Sequence, residues 1–225
     1  MPSDESENPT RRRVSVEEAE VILVERIRAA QKALDDAVWN LVVLYNRTGQ
    51  KEKARQYLEQ LLASTEDPGV RALYLLSLGQ LLEGLDEFAG AIEAYTQALA
   101  LEPANREVWY LINNNLGFCL NHVGRHAEAE TLCRRAIEID PARHNAYKNL
   151  GLAQEGLGRV AEAARCYHRA AAICPSDTRA QRRLEALLAR HPAVAEELAR
   201  ETGASCGGPA GEAGQSASPD ETGNG

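Results

Sequence analysis

The chain has 225 residues, a formal net charge of −8 at neutral pH and 5% aromatic residues. The acidic balance argues against bulk nucleic-acid binding and against attraction to anionic membrane surfaces. An abundance of Ala, Leu, Glu and Arg favours helix, and no apolar run approaches the ~20 residues that span a bilayer.

In chain order, residues 1–14 are polar and charged, which predicts a disordered segment. Arg11, Arg12 and Arg13 within it read as a solvated flank or as a contact for an acidic partner. The start of the chain carries no apolar signal segment, so the expectation is a cytoplasmic protein. Ser15, with Glu18 three positions on, has the pattern of a capping box and opens a helix expected over 15–34. No Gly or Pro follows until Gly49, so that helix can run on. Val16, Leu23, Ile27, Ala30 and Leu34 lie close to one face, and Val21, Ile22 and Val24 widen the apolar surface. The segment reads either as an end cap or as a self-association surface, because a broad apolar face invites a partner.

From residue 35 the chain repeats itself. Asn115-Leu116-Gly117 recurs as Asn149-Leu150-Gly151, Gly124 as Gly158, Ala129 as Ala163 and Pro141 as Pro175, always 34 residues apart. These pairs define units at 110–143 and 144–177. A third unit, 72–105, carries Leu78-Gly79, Ala91, Tyr95, Ala98 and Pro103, with Gly84 two residues ahead of the usual glycine. The earliest, 35–68, is degenerate: Leu41, Tyr45, Gly49, Ala54 and Leu58 fit, but Val42 stands where the packing glycine should be. Residues 106–109 are extra, and four residues are about one helical turn, so the next helix can start a turn early. Residues 178–202 read as capping helices, with Pro192 opening the last one, and 203–225 as a disordered Gly/Ser/Ala-rich tail.

Each recurring residue has a mechanical job in a helix–turn–helix hairpin. Gly117 and Gly151 cost their helix roughly 1 kcal/mol against Ala, which close approach of a second helix would justify. Gly124 and Gly158 supply the left-handed residue that ends the first helix, and Pro141 and Pro175 stop the second. The period and its signature resemble the tetratricopeptide repeat (TPR) family. The resemblance implies an all-α fold: a right-handed TPR superhelix, or α-solenoid, of about four helix–turn–helix repeats with N-terminal and C-terminal capping helices. It also implies that the first helices line a concave groove and that the residue before Leu-Gly points into it.

That position holds Asn40, Ser77, Asn115 and Asn149 in successive repeats. A carboxamide donates twice and accepts, so such a ladder suits the backbone of an extended peptide; the other reading is that these residues bond neighbouring helices. Lys148, Arg179 and Arg183 place positive charge at the C-terminal end. They partly resemble the carboxylate clamp by which some TPR domains hold the acidic tails of heat-shock chaperones, although Asn114 and Phe118 stand where the preceding repeat should offer Lys and Asn. Phe118, with Trp39, is expected to face the groove as an apolar anchor. Nothing resembles a catalytic constellation: the five cysteines lack metal-ligand spacing and no nucleophile is paired with a histidine. The expected function is therefore a non-enzymatic protein–protein interaction module, an adaptor, scaffold or co-chaperone-like protein, without metal or cofactor. It would bind an acidic or C-terminal peptide segment. The rival is a structural module that forms homodimers through residues 15–34.

Overall fold

The computed structural model describes residues 15–203, which form ten helices and no strand. The segments expected to be disordered lie outside the described residues, apart from Gly203. Two compact units divide at Val123 and Gly124, inside a turn. No helix among the described residues is long and apolar enough to cross a membrane.

The first unit holds α1 (Val16–Arg47), α2 (Lys51–Ser64), α3 (Pro68–Glu83), α4 (Phe88–Ala100) and α5 (Arg106–His122). Each of α2 to α5 packs against its predecessor, and α5 also reaches α3. Ser15 and Glu18 form the expected capping box at the start of α1. With no breaker before Gly49, α1 runs unbroken for 32 residues across the boundary expected at 34/35. Residues 106–109 are the first turn of α5, capped by the Asn105 side chain accepting from the amides of Glu107 and Val108.

The turns show why glycine recurs and where it is dispensable. Gly49, Gly124 and Gly158 have φ between 74° and 78°, a left-handed conformation that costs glycine little. Between α3 and α4 the same position is Asp86, with φ 61°. Aspartate tolerates that region better than most residues, so the glycine expected there is not required.

The second unit holds α6 (His126–Ile139), α7 (His144–Gly156), α8 (Val160–Ile173), α9 (Thr178–Arg190) and α10 (Pro192–Thr202). Helices α6 and α8 stop just before Asp140-Pro141 and Cys174-Pro175, as expected from proline. Helix α9 packs on α8, and α10 closes over both. Ala163, Ala164, Tyr167, Leu184, Leu187 and Leu198 form one core there, so the apolar side of α8 is covered rather than left to solvent.

Inside the hairpins one arrangement occurs twice. A Cβ on Gly79 would overlap the Tyr95 ring, and one on Gly151 would lie 2.7 Å from the ring of Tyr167. Both tyrosines are fully buried. The Tyr95 hydroxyl donates to Glu83 at 3.0 Å and that of Tyr167 to Glu155 at 2.8 Å. Glycine, glutamate one turn later, and tyrosine on the second helix are thus one packing device: the ring fills the space a side chain would take, and the carboxylate satisfies its hydroxyl. In the degenerate repeat the bulk is exchanged, with Val42 in the glycine position and Leu58 in the tyrosine position, both buried.

Candidate peptide-recognition surface

The eight residues singled out from the sequence fall into four on each unit. On the first unit Asn40 is exposed. Its neighbour Trp39 stacks on Tyr74 with ring centroids 5.6 Å apart, and helps to line a pocket of about 260 Å³ with Val43, Ser77 and Gln80. Ser77 is half-buried, and its hydroxyl donates to the carbonyl of Leu73 at 3.0 Å. The Asn115 carboxamide is shared within the unit: it accepts from Asn114 at 2.9 Å and donates to the Tyr95 hydroxyl at 3.4 Å.

Phe118 has a packing role. It meets Phe88, the first residue of α4, edge-on at 6.4 Å, and His122 at 4.5 Å. Phe88 also stacks on His122 with ring centroids 4.4 Å apart. The pair corresponding to Phe88 and His122 is Lys51 with the Gly84 carbonyl at the start of α2, and in the second unit His126 against Gly156. The first residue of one repeat's second helix therefore bears on the same position of the next first helix in three places. Sequence reasoning missed this because the two positions are about 30 residues apart and differ chemically each time.

On the second unit the charged residues converge around two carboxylates. Asp177 caps α9 by accepting from the Arg179 amide at 3.1 Å. It also takes the Arg179 guanidinium through two bonds of 2.8 and 2.7 Å and bonds the His144 ring at 2.8 Å. Lys148 lies 4.0 Å away, with its ammonium held by Asn145 at 3.0 Å. The Arg179 guanidinium is the main cause that holds the Asp177 carboxyl well below the usual carboxylate range. Glu155, one turn beyond Gly151, accepts from Tyr167 and from Arg190, each at 2.8 Å, with Arg183 at 3.9 Å. Partial burial pulls its pKa up, but those hydrogen bonds and the two arginine charges together hold it below the ordinary value.

Lys148 is the unusual member. Its side chain is 13% exposed. Desolvation and the charges of Arg179 and Arg183 depress its pKa, against the pull of Asp177. Arg179 is committed to Asp177 in fork geometry. Arg183 is exposed and only loosely tied to Glu155. Asn149, beside Lys148 on α7, is buried. This end of the unit is thus a cluster of cations compensated unevenly, with Arg183 turned to solvent.

Chemistry of other kinds finds little support. Burial pushes the thiols of Cys119 and Cys133 up to about 12, so at neutral pH they stay protonated and poor as nucleophiles or ligands. Among the described residues no three His, Cys, Asp or Glu side chains cluster as a metal site would need.

Models of the tetratricopeptide repeat match residues 36–64, 72–105 and 110–176, together more than half of the chain. A Drosophila melanogaster protein described as a BBSome complex member BBS4 homolog is 27% identical over 107 residues, 48% of this chain and 21% of that protein. The chain thus spans about a fifth of the length of that curated relative. The structure of MamA (residues 41 to the end) from Desulfovibrio magneticus RS-1 superposes with a TM-score of 0.61 at 21% identity, over 76% of this chain and 97% of that one. A chain of the APC/C hetero-tetramer Cut9-Hcn1 gives a TM-score of 0.59 at 21% identity, over 67% of this chain and 29% of that one. Repeat period, hairpin packing and fold agree, and the chain belongs to the tetratricopeptide repeat family.

Proposed function

We propose that this protein is a non-enzymatic interaction module, an adaptor or scaffold, that binds an acidic or C-terminal peptide segment of another protein through α7 and α9. The observation that supports this reading most is Lys148: an ammonium whose pKa is depressed first by burial and then by repulsion from the charges of Arg179 and Arg183 beside it. A carboxylate arriving at Lys148 and Arg183 relieves that repulsion through charge-assisted hydrogen bonds. Arg179 contributes less, because Asp177 already occupies it. In the first unit Asn40 and Ser77, with the Trp39 pocket, offer polar and apolar contacts for a peptide, and the carboxamide of Asn115 retains bonding capacity beyond Asn114 and Tyr95. Membership of a multi-subunit complex, stated for the Drosophila relative, fits a module of this class.

The test is a titration of the full chain with a labelled hexapeptide of alternating Asp and Ala ending in a free carboxylate. Affinity is expected near the micromolar range, since ordering the peptide offsets part of the contact energy. Lys148→Met and Arg183→Gln should each weaken it about tenfold with unchanged helicity, and Arg179→Gln less. A bound anion raises the pKa of Lys148, so affinity must fall as pH rises through the free-state value. Equal binding by wild type and Arg183→Gln, or affinity indifferent to pH and salt, would overturn the reading.

A further inference from the structure

The first part of α1, as far as Leu34, carries seven of the eleven exposed large hydrophobic side chains among the described residues. From 15 to 34 every side chain except that of Ala19 is exposed, including Val16, Val21, Ile22, Leu23, Val24, Ile27 and Leu34. Ile27 is 68% and Leu34 57% exposed, values at which a large aliphatic group gains little from the fold. A capping box nonetheless fixes the start of this stretch as helix. A helix with a broad apolar side usually survives in water because something covers that side.

We propose that this surface pairs with the same surface of a second copy, the two helices running antiparallel. Three features of the stretch select that occupant and that direction. Val16, Glu20, Leu23, Ile27, Ala30 and Leu34 are spaced alternately four and three apart, the spacing of a two-helix seam. A two-fold axis at residue 25 puts Val16 opposite Leu34, Leu23 opposite Ile27 and Glu20 opposite Ala30. Every seam position then has a partner of its own set, as an isologous interface requires. Charge decides the direction: Glu17, Glu18, Glu20 and Glu25 occupy the first part, Arg26, Arg28 and Lys32 the second. Antiparallel copies lay the acidic half of one helix over the basic half of the other, with Glu18 level with Lys32, and only Glu25 meets its own copy, on the axis. Parallel copies would bury Glu20 against Glu20 and align like charges throughout, which is destabilising.

Sedimentation velocity on the full chain is expected to show a dimer at about 50 μM. Ile27→Glu/Leu34→Glu should give a monomer with unchanged far-ultraviolet dichroism. Orientation is read by disulfide trapping against the unsubstituted chain as control. Residue 24 flanks the axis, so Val24→Cys should trap a covalent dimer. Val16→Cys should not, because the two copies of residue 16 lie about 27 Å apart at 1.5 Å per residue. A wild-type monomer at every concentration overturns the proposal, since the face is then covered by the chain's own segments or not at all. A dimer that survives Ile27→Glu/Leu34→Glu places the contact elsewhere and overturns it too. Trapping through Val16→Cys but not Val24→Cys overturns the antiparallel direction.

Discussion

Gly151→Val is expected to cost the fold about 2 kcal/mol, and Tyr167→Leu made on top of it to cost about 2 kcal/mol less than it does alone. The Cβ alone would lie 2.7 Å from a ring that is fully buried and fixed through its hydroxyl to Glu155, so the ring has nowhere to go. Overpacking a closed core costs about 1–3 kcal/mol for a few added carbons, which outweighs the ~1 kcal/mol that leaving glycine gains in helix propensity. Tyr167→Leu alone should cost about 2–4 kcal/mol, from the cavity left by the lost ring atoms. Together the two changes reproduce Val42 and Leu58, the pair that the degenerate first repeat carries, so the volumes match again. The double variant should be more stable than the sum of the single losses predicts by about 2 kcal/mol. Urea denaturation of the four proteins checks this: additive losses would mean that Gly151 and Tyr167 do not share one space.

How much of this could be read beforehand depended on whether a residue's partner lay in its own hairpin position or in another helix. The 34-residue offset, the left-handed glycines and the helix-stopping prolines act within a few residues of themselves, and the helices begin and end where they say. The Gly-Glu-Tyr device was also in view, since Gly79, Glu83 and Tyr95 recur as Gly151, Glu155 and Tyr167, 72 residues on. It goes unnoticed because Asn121 and Cys133 occupy the glutamate and tyrosine positions of the repeat between. The Asn ladder was legible as a set of residue types but not as a set of surfaces. Asn40 is exposed, whereas Asn115 meets a tyrosine hydroxyl 20 residues away and Asn149 is buried. Periodicity gives the face of a helix; what stands opposite that face comes from the neighbouring helix, as with half-buried Phe118, whose ring meets the edge of Phe88.

The two glutamates of the repeated device should respond to pH and to amidation with opposite signs. Burial pushes the Glu83 pKa up, and the hydrogen bond from Tyr95 offsets only part of this. A carboxyl raised in the fold stabilises it below the unfolded pKa, near 4.3, and that contribution is lost as pH rises through the folded value. At neutral pH the ionised Glu83 is therefore a cost, and Glu83→Gln, which still accepts from Tyr95, should stabilise by about 1 kcal/mol. Glu155 has the same tyrosine partner, but Arg190 and Arg183 also face it, and its pKa is held below the ordinary value. Its contribution is present above the unfolded pKa and lost as pH falls through the folded one. Glu155→Gln should accordingly cost about 1–2 kcal/mol at pH 7, the lower end because both arginines are exposed and screened. Both differences should shrink toward zero as pH drops below 4.3. Denaturation curves at pH 7 and pH 4 for the two variants decide the matter. A shared sign at pH 7 would mean that the arginines of α9 do not compensate Glu155, and that the cation cluster beside it has more free charge than the geometry assigns.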